Sequence, residues 1–598
     1  MSGRRESLGA TASSGAAPWP IAVALRRALA GDYDAAALRA DLLAGSVVGI
    51  VALPLSMALA IAVGVPPQHG LYTAIVAGAI AALTGGSKFQ ITGPTAAFVV
   101  ILTPIVSAHG LSGLLTAGLM AGGLLLAMGL ARLGRLIQFI PYPVTSGFTA
   151  GIAIVIAGLQ LKDGFGLGVA QMPEHFPDKM AALWAARGSW SPAELGVAAA
   201  TFALLLLVPR VVRRVPAPLI ALAGMALLVW ALGLPVATLG TRFHTVVDGH
   251  SVPGIPPLPP APALPWGDTP LGLDLMRALL PSAFAIAMLG AIESLLSAVV
   301  ADGMTGKRHD PDAELVGQGL ANVAAPFFGG IAATGALART ATAVRAGARS
   351  PIAALTHSAV VLASMVLLAP LVAYLPMASL AALLLLVAWN MAEVRHIAHM
   401  LRVAPRSDVL VLAVCAFLTV AFDMVVAVSA GIVLAALLFM RRMAEITYSR
   451  VLQVDDVESA HAIPPGVALY EIAGVLFFGA AEQAMRALAA IGSDVRVVVL
   501  GLGRVSVIDA SGLVALESAL ERLRRERKFV IITGPLPEPR RVFERAELEA
   551  NLDHVTFAAS LDEGLRVAAD LAALNPDWGS KGFNAEGAAD AKGRGAGG

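Results

Sequence analysis

From about residue 42 to 441 the chain alternates long apolar runs with short polar breaks, and most runs are long enough to cross a bilayer or to half-cross it. The pattern predicts helical crossings over 42–64, 69–85, 92–107, 111–131, 144–161, 194–209, 216–235, 273–300, 313–328, 334–346, 350–374, 377–391, 408–423 and 424–440, about fourteen in all. Ahead of them, residues 1–40 hold a Ser/Gly/Ala-rich leader with Arg4 and Arg5. An amphipathic stretch follows, Ile21 to Ala40, with Arg26, Arg27 and Arg39. The leader lacks a signal-peptide cleavage pattern, and 1–40 is expected to lie on the cytoplasmic membrane surface.

Past Arg441 and Arg442 the period changes. Val467–Ile472, Val495–Leu500 and Phe529–Thr533 are short β-rich runs, and a charged amphipathic segment, Gly512–Arg527, separates two of them. This is the texture of an alternating α/β soluble domain. The expected organisation is therefore a cytoplasmic segment 1–40, a transmembrane domain 41–441, a linker 442–462, a soluble domain 463–572 and a disordered Gly/Ala-rich tail 573–598.

Composition narrows the class. Hydrophobic residues make up 57% of the 598 and charged residues 14%, which places the chain among polytopic membrane proteins. The net charge of +1, with no pooled basic patch, argues against a nucleic-acid partner. The single cysteine, Cys415, excludes an internal disulfide and a Cys-based metal cluster. No phosphate-binding loop, zinc-type His spacing or nucleophile triad is present, so neither an enzyme nor a cofactor is expected.

Charge also orients the spans. With both termini cytoplasmic, the inner loops hold Lys88, Arg132, Arg135, Arg210, Arg213, Arg214, Lys307, Arg308, Arg345, Arg349, Arg395, Arg402 and Arg406. The short outer loops near 65, 109, 329 and 375 hold no Lys or Arg, as the positive-inside rule requires of an even number of spans.

Two spans depart from the pattern. Segment three opens Thr92-Gly93-Pro94-Thr95-Ala96-Ala97-Phe98, and segment ten opens on Gly329-Gly330 and Thr334-Gly335. Two short, Gly/Pro-interrupted segments, each third in its set of seven, point to an inverted repeat with a site between two half-helices. Helix N-termini carry unpaired N–H groups and partial positive charge, so such a site suits an anion near the bilayer midplane. Arg339 adds a full charge and a bidentate fork for a carboxylate or sulfate; its other role is to pair with Glu293 or a carbonyl. Arg345 and Arg349 are expected to anchor at the inner interface. Glu293 lies deep in an apolar run, where a bare charge is costly, and is the candidate for proton uptake; a static pair with Arg339 is the alternative. Of His69, His357, His396 and His399, the last two belong to an inner loop at the membrane surface, and His357 is expected to be a satisfied core histidine.

At this point the residues carry a resemblance. Gly93-Pro94-Thr95-Ala96-Ala97 resembles the Gly-Pro-x-Ala motif of the SulP family, the sulfate permease and solute carrier 26 anion transporters. So do Pro66-Pro67-Gln68-His69-Gly70-Leu71-Tyr72, Glu293-Ser294-Leu295-Leu296-Ser297-Ala298, the run Asn322 to Gly330, and Thr334-Gly335-Ala336-Leu337-Ala338-Arg339-Thr340. The resemblance runs in order from about 40 to 570, and it implies a polytopic α-helical fold of 14 spans in a seven-plus-seven inverted repeat similar to uracil permease. A core domain (segments 1 to 4 and 8 to 11) would move as an elevator against a gate domain (5 to 7 and 12 to 14), usually in a homodimer of the bacterial inner membrane. The anion would sit between segments three and ten. Thr95, Ala96, Ala97 and Phe98 would supply one side, Thr334, Gly335, Ala336, Leu337, Ala338 and Arg339 the other, with Glu293 as the proton-coupling residue.

Val467 to about Ala569 resembles a STAS domain, and Val507-Ile508-Asp509-Ala510-Ser511-Gly512-Leu513 its Asp-x-Ser-Gly turn. In soluble relatives that serine can be phosphorylated; the simpler reading is that Asp509 and Ser511 cap the helix near Gly512. Within the family the wording of segments one to three, Val51 to Ala60 and Thr84 to Phe89, is most similar to the bacterial dicarboxylic acid uptake (DauA-like) branch. Many sulfate members carry a Gln where Leu55 stands and a Tyr where Leu59 stands. The implied function is proton-coupled uptake of C4-dicarboxylates such as succinate, fumarate or aspartate. Sodium ranks below protons, because sodium-coupled relatives carry an Asp at the position of Glu293. Sulfate or bicarbonate transport remains open, as do a passive channel or exchanger and an anion-sensing receptor whose STAS domain meets a cytoplasmic partner such as acyl carrier protein.

Overall fold

The computed structural model describes residues 21–574 apart from 31–32, 136–140, 170–171, 174, 213–214, 248–249, 268–271, 423, 447, 453–462, 489–490 and 493. The leader with Arg4 and Arg5, the pair Arg213 and Arg214, much of the expected linker and the tail from 575 lie outside the described residues. The chain divides into two compact units, Met1–Ala435 and Ala436–Gly598.

In the first unit, α1 (Val23–Leu29) is followed by α2 (Ala35–Val63). Asp34 starts α2, its carboxylate accepting from the Ala37 N–H at 2.7 Å. Residues 35–40 therefore belong to the first span, and the single amphipathic stretch expected over 21–40 is two elements. α3 (Gln68–Tyr72), a π-helical turn (Thr73–Ala77) and α4 (Gly78–Thr84) make the second segment. The Gly-Pro interruption of segment three forms a two-residue strand, β1 (Thr92–Gly93), and only then does α5 (Ala96–Leu130) begin. Gly110, at φ 66° and ψ −167°, kinks α5 so that it serves as segments three and four.

The middle of the unit runs α6 (Tyr142–Phe165), α7 (Phe176–Ala185), α8 (Pro192–Val211), α9 (Ala217–Leu232), α10 (Leu239–Arg242) and the hairpin β2 (His244–Val247) and β3 (His250–Pro253). The second half repeats the theme of the first. α11 (Leu273–Thr305) and α12 (Pro311–Ala324) precede another two-residue strand, β4 (Thr334–Gly335), and a short helix, α13 (Leu337–Arg345). α14 (Ile352–Val372), α15 (Met377–Met391), α16 (Val394–Val403) and α17 (Arg406–Ala421) complete it, with α18 (Met424–Ile446) beginning in this unit and ending past Ala435. Among the described residues eight helices are long and apolar enough to cross a membrane by length and composition. Each of the fourteen expected segments has a helical counterpart, the second and tenth being broken or short.

Packing falls into two groups. α14 lies along α2, while α5 packs on α11 and α12; separately, α6 packs on α15 and α17, and α8 on α9 and α15. Glycines let backbones approach where lipid gives no hydrophobic drive: a Cβ on Gly122 of α5 would lie 2.6 Å from the Val323 nitrogen of α12.

The second unit holds a five-stranded sheet in the order β5 (Tyr448–Leu452), β6 (Val467–Leu476), β7 (Val497–Ile508), β8 (Phe529–Thr533), β9 (Val555–Ala558). β5 is antiparallel to β6 and the rest are parallel. α19 (Phe478–Leu488), α20 (Ala510–Arg525), α21 (Pro537–Arg545), α22 (Leu548–Asn551) and α23 (Leu561–Leu574) cover it. Alternation along the strands sends Tyr470, Val498, Leu500 and Val530 to one core and Leu469, Val497, Val499 and Ile531 to the other, so both faces are buried, as parallel strands require. β7 runs past the expected Leu500 to Ile508 because β6 pairs with it along nearly its whole length through two register shifts.

Candidate functional site

β1 and β4 pair antiparallel, Thr92 opposite Gly335 and Gly93 opposite Thr334, so the chain reaches the starts of α5 and α13 through one two-stranded crossing. Neither helix start is capped: the N-cap residues Thr95 and Ala336 make no side-chain cap bond, and the first turns hold no acidic residue. Elsewhere in the same unit α2, α8 and α12 are capped by Asp34, Ser191 and Asp310. The uncapped pair leaves first-turn N–H groups without the usual internal acceptor.

Arg339 is the third residue of α13, one turn nearer the helix start than its distance from Thr334 suggested, and is 3% exposed. Its Nη2 donates to the Pro94 carbonyl just ahead of α5, while Nε and Nη1 have no hydrogen-bond partner. No ion pair joins it to Glu293 among the described residues; of the two anchoring roles expected for it, the carbonyl is the one observed. The fork is held close to β1, for a Cβ on Gly93 would lie 2.7 Å from Nη1. Glu293 in α11 instead accepts from the Thr95 hydroxyl at 2.8 Å. That hydroxyl would otherwise be free to cap α5, so the carboxylate and the helix start share one group.

A polar network holds the crossing in place. Ser294 bonds the Thr334 hydroxyl at 2.7 Å and accepts from the Gly335 N–H at 3.0 Å, and its carbonyl accepts from Gln90 at 3.0 Å. Thr340 accepts from the Ile91 N–H at 3.0 Å and from Ser297 at 3.1 Å. From α12, Gln318 donates to Thr92 at 2.7 Å, Asn322 exchanges bonds with Ala333 at 2.8 Å, and Glu314 accepts from the Gly86 and Ser87 N–H groups. Sequence reasoning assigned no role to Gln90, Glu314 or Gln318. Their signal was present in Glu314, Gln318 and Asn322, spaced by four on one face of an apolar segment.

The structure thus brings together Thr95, Ala96, Ala336, Arg339 and Glu293. Leu337 and Ala338 are exposed beside them, and Thr334 and Gly335 are buried in the crossing. Ala97 and Phe98 in the first turn of α5 are fully buried, the Phe98 ring lying beside Gly290 of α11. Arg345 and Arg349 are exposed. The expectation of a satisfied histidine at 357 is corrected: His357 is buried in α14, as expected, but neither ring nitrogen has a hydrogen-bond partner, and the backbone beside Nδ1 is that of Gly78, which has no side chain to offer one. His69 bonds the Gly329 carbonyl at 2.6 Å. In the second unit Asp509 caps α20, accepting from the Gly512 N–H at 2.7 Å, whereas Ser511 is exposed within the first turn and takes no part in the cap.

The profile described as the sulfate permease family matches residues 38–415, and that of the STAS domain residues 460–564. A Bacillus subtilis protein provisionally named a sulfate transporter, YvdB, is 40% identical over 535 residues, 89% of this chain and 98% of its own. The bicarbonate transporter BicA of Picosynechococcus is 28% identical, over 89% of this chain and 94% of its own. Among solved structures, the transmembrane domain of a cyanobacterial BicA is 29% identical with a TM-score of 0.57, covering 67% of this chain and 97% of that one. A murine solute carrier 26 family member A9 anion transporter shares the fold, at TM-score 0.77 and 18% identity, over 89% of this chain and 92% of its own.

Proposed function

This chain belongs to the sulfate permease family, with a STAS domain, and on that premise we propose that it is a secondary active transporter that couples anion uptake to protons through Glu293. Family membership makes it a membrane anion transporter and not an enzyme. The observation that carries the mechanism is Arg339, nearly fully buried, with one nitrogen on Pro94 and two donors free beside two uncapped helix starts. A buried guanidinium with open donors is costly until an anion takes them. The anion is then held by the fork and by first-turn N–H groups of α5 and α13. Glu293 reads the site through Thr95: a proton taken up outside leaves its carboxyl uncharged, so that it does not repel the entering anion, and loss of that proton inside restores a carboxylate that drives the anion off. The group of α2, α5, α11, α12 and α14 carries the site past the group of α6, α8, α15 and α17 as an elevator, in a homodimer of the inner membrane with both termini cytoplasmic.

The substrate we propose is a C4-dicarboxylate, supported by the small side chains Ala96, Ala97, Ala336 and Ala338, while Leu55 and Leu59 in the first span weigh against sulfate. Sulfate is the second reading, favoured by the name of the 40% identical relative, and bicarbonate the third, by the name of BicA. Protons rank above sodium. Exposed Ser511 is the proposed regulatory position of the STAS domain, with a cytoplasmic partner such as acyl carrier protein. Labelled succinate uptake into proteoliposomes under an inward proton gradient, with and without excess sulfate, separates the readings. Gradient-stimulated uptake that sulfate fails to suppress supports the dicarboxylate. No succinate uptake, with sulfate or bicarbonate accumulated instead, moves the substrate to that anion.

A further inference from the structure

α16, which joins α15 to α17, is a strongly one-sided helix of the first unit. At 100° per residue its ten positions form distinct strips. Met400 and Ile397 face inward. Val394 and Leu401, 46% and 52% exposed, form an apolar strip open to the surroundings. Next to it Arg395, His399 and Arg402 form an exposed basic strip, and Arg406, the first residue of α17, separated from α16 by two residues, is also exposed. Exposed His396 meets the ring of Tyr142 of α6 edge-on at 5.4 Å, a surface contact beside these strips. Among the described residues no carboxylate comes within ion-pair distance of Arg395, Arg402 or Arg406. Of the nearby acids, Glu393 is exposed at the N-cap, and Asp408 accepts from Ser407 at 3.1 Å.

α15 and α17 are both apolar helices of the transmembrane unit, so the short helix linking their ends lies at the level of the bilayer surface. A basic strip alone would suit any polyanion. Exposed Val394 and Leu401 beside it suit one that offers hydrocarbon below the charge. We infer that α16 is a docking surface for an anionic phospholipid, Arg395, Arg402 and Arg406 taking the headgroup phosphate and Val394 and Leu401 the first methylenes of the acyl chains. Each arginine near an anionic surface strengthens attachment about fivefold, and the attraction is screened by salt. Because α15 and α17 both pack on α6, a lipid held here braces that helix group against the membrane plane.

The test uses the full chain in nanodiscs of phosphatidylcholine with or without phosphatidylglycerol, followed by mild delipidation and counting of retained lipids by native mass spectrometry. The wild type is expected to retain phosphatidylglycerol over phosphatidylcholine by about tenfold or more, falling as salt rises. The combined variant Arg395→Gln, Arg402→Gln, Arg406→Gln is expected to lose that preference, while Arg187→Gln, an exposed arginine beside α7, keeps it. Equal retention by the triple variant would overturn the inference. So would displacement of the lipid by inorganic phosphate at matched concentration, which would make this a free-anion site. Should the triple variant fail to yield monodisperse protein, the wild type decides alone: a preference that salt does not weaken also overturns it.

Discussion

The Thr95 hydroxyl donates to Glu293 Oε2 at 2.8 Å instead of capping the helix that Thr95 begins. One hydroxyl therefore links the proposed proton carrier to one of the two helix starts that face the anion. Glu293→Gln keeps the size of the side chain and an acceptor for Thr95 but cannot cycle a proton. The variant should bind anion with near wild-type affinity and lose the stimulation of uptake by an inward proton gradient. Uptake by Glu293→Gln that still follows the gradient would refute the coupling role. Thr95→Val, which strands the carboxylate, should lower uptake by about one order of magnitude, on the scale of one lost hydrogen bond to a charged group.

Two glycine substitutions of equal size should behave differently. A Cβ at Gly93 meets the end of a side chain, Arg339 Nη1 at 2.7 Å, and the guanidinium can swing aside. Gly93→Ala should leave the melting temperature close to wild type and weaken anion binding roughly tenfold, through lost fork geometry. A Cβ at Gly122 meets backbone, the Val323 nitrogen at 2.6 Å, and α5 cannot yield without leaving α12. Gly122→Ala should destabilise the protein by about 1–3 kcal/mol. Thermal unfolding and anion binding measured on both variants check the contrast; equal melting temperatures would contradict it.

How much of this could be read from the chain alone depends on what each residue interacts with. The spans follow from local apolar length, and the breaks at Gly93-Pro94 and Thr334-Gly335 mark the crossing because Gly and Pro disrupt helices wherever they stand. That the two breaks pair as strands is a contact across more than 240 residues, which no local pattern reports. Arg339 stood out as a charge in an apolar stretch, yet its carbonyl partner Pro94 did not, since a carbonyl carries no sequence signal. His357 was misjudged for the converse reason: a lone histidine in a span looks the same whether its nitrogens are bonded or not. Asp41 gives no local signal of its partners either: it accepts from Tyr33 at 2.7 Å and from the Arg349 and Ser350 N–H groups, tying α2 to the turn before α14 across some 300 residues.

The unpartnered ring of His357 yields its own expectation. Burying a polar group without a hydrogen bond costs about 1–3 kcal/mol, so removing the polar atoms removes the penalty. His357→Leu should therefore melt at or above the wild-type temperature, with uptake retained. A fall of several degrees would show that the ring is bonded in the membrane and that its partners matter for stability.

The STAS domain should lose stability in mild acid through His554. The ring is 95% buried, Nε2 bonding the Leu520 carbonyl of α20 at 2.9 Å while Nδ1 makes no hydrogen bond and lies 3.7 Å from the exposed Asp553 carboxylate. Burial lowers its pKa, partly offset by the Leu520 carbonyl and by Asp553, while Arg524 adds to the lowering. The sign follows from linkage: near pH 6.5 the unfolded histidine begins to take a proton that the folded one still refuses. The contribution of His554 to stability is thus complete above about pH 6.5 and declines as pH falls from there through the lower folded value. Thermal unfolding of a fragment spanning 436–574 should show a melting temperature that falls between neutral pH and pH 5, and His554→Gln should flatten that dependence. A wild-type profile that the substitution leaves unchanged would assign the acid sensitivity to the carboxylates instead.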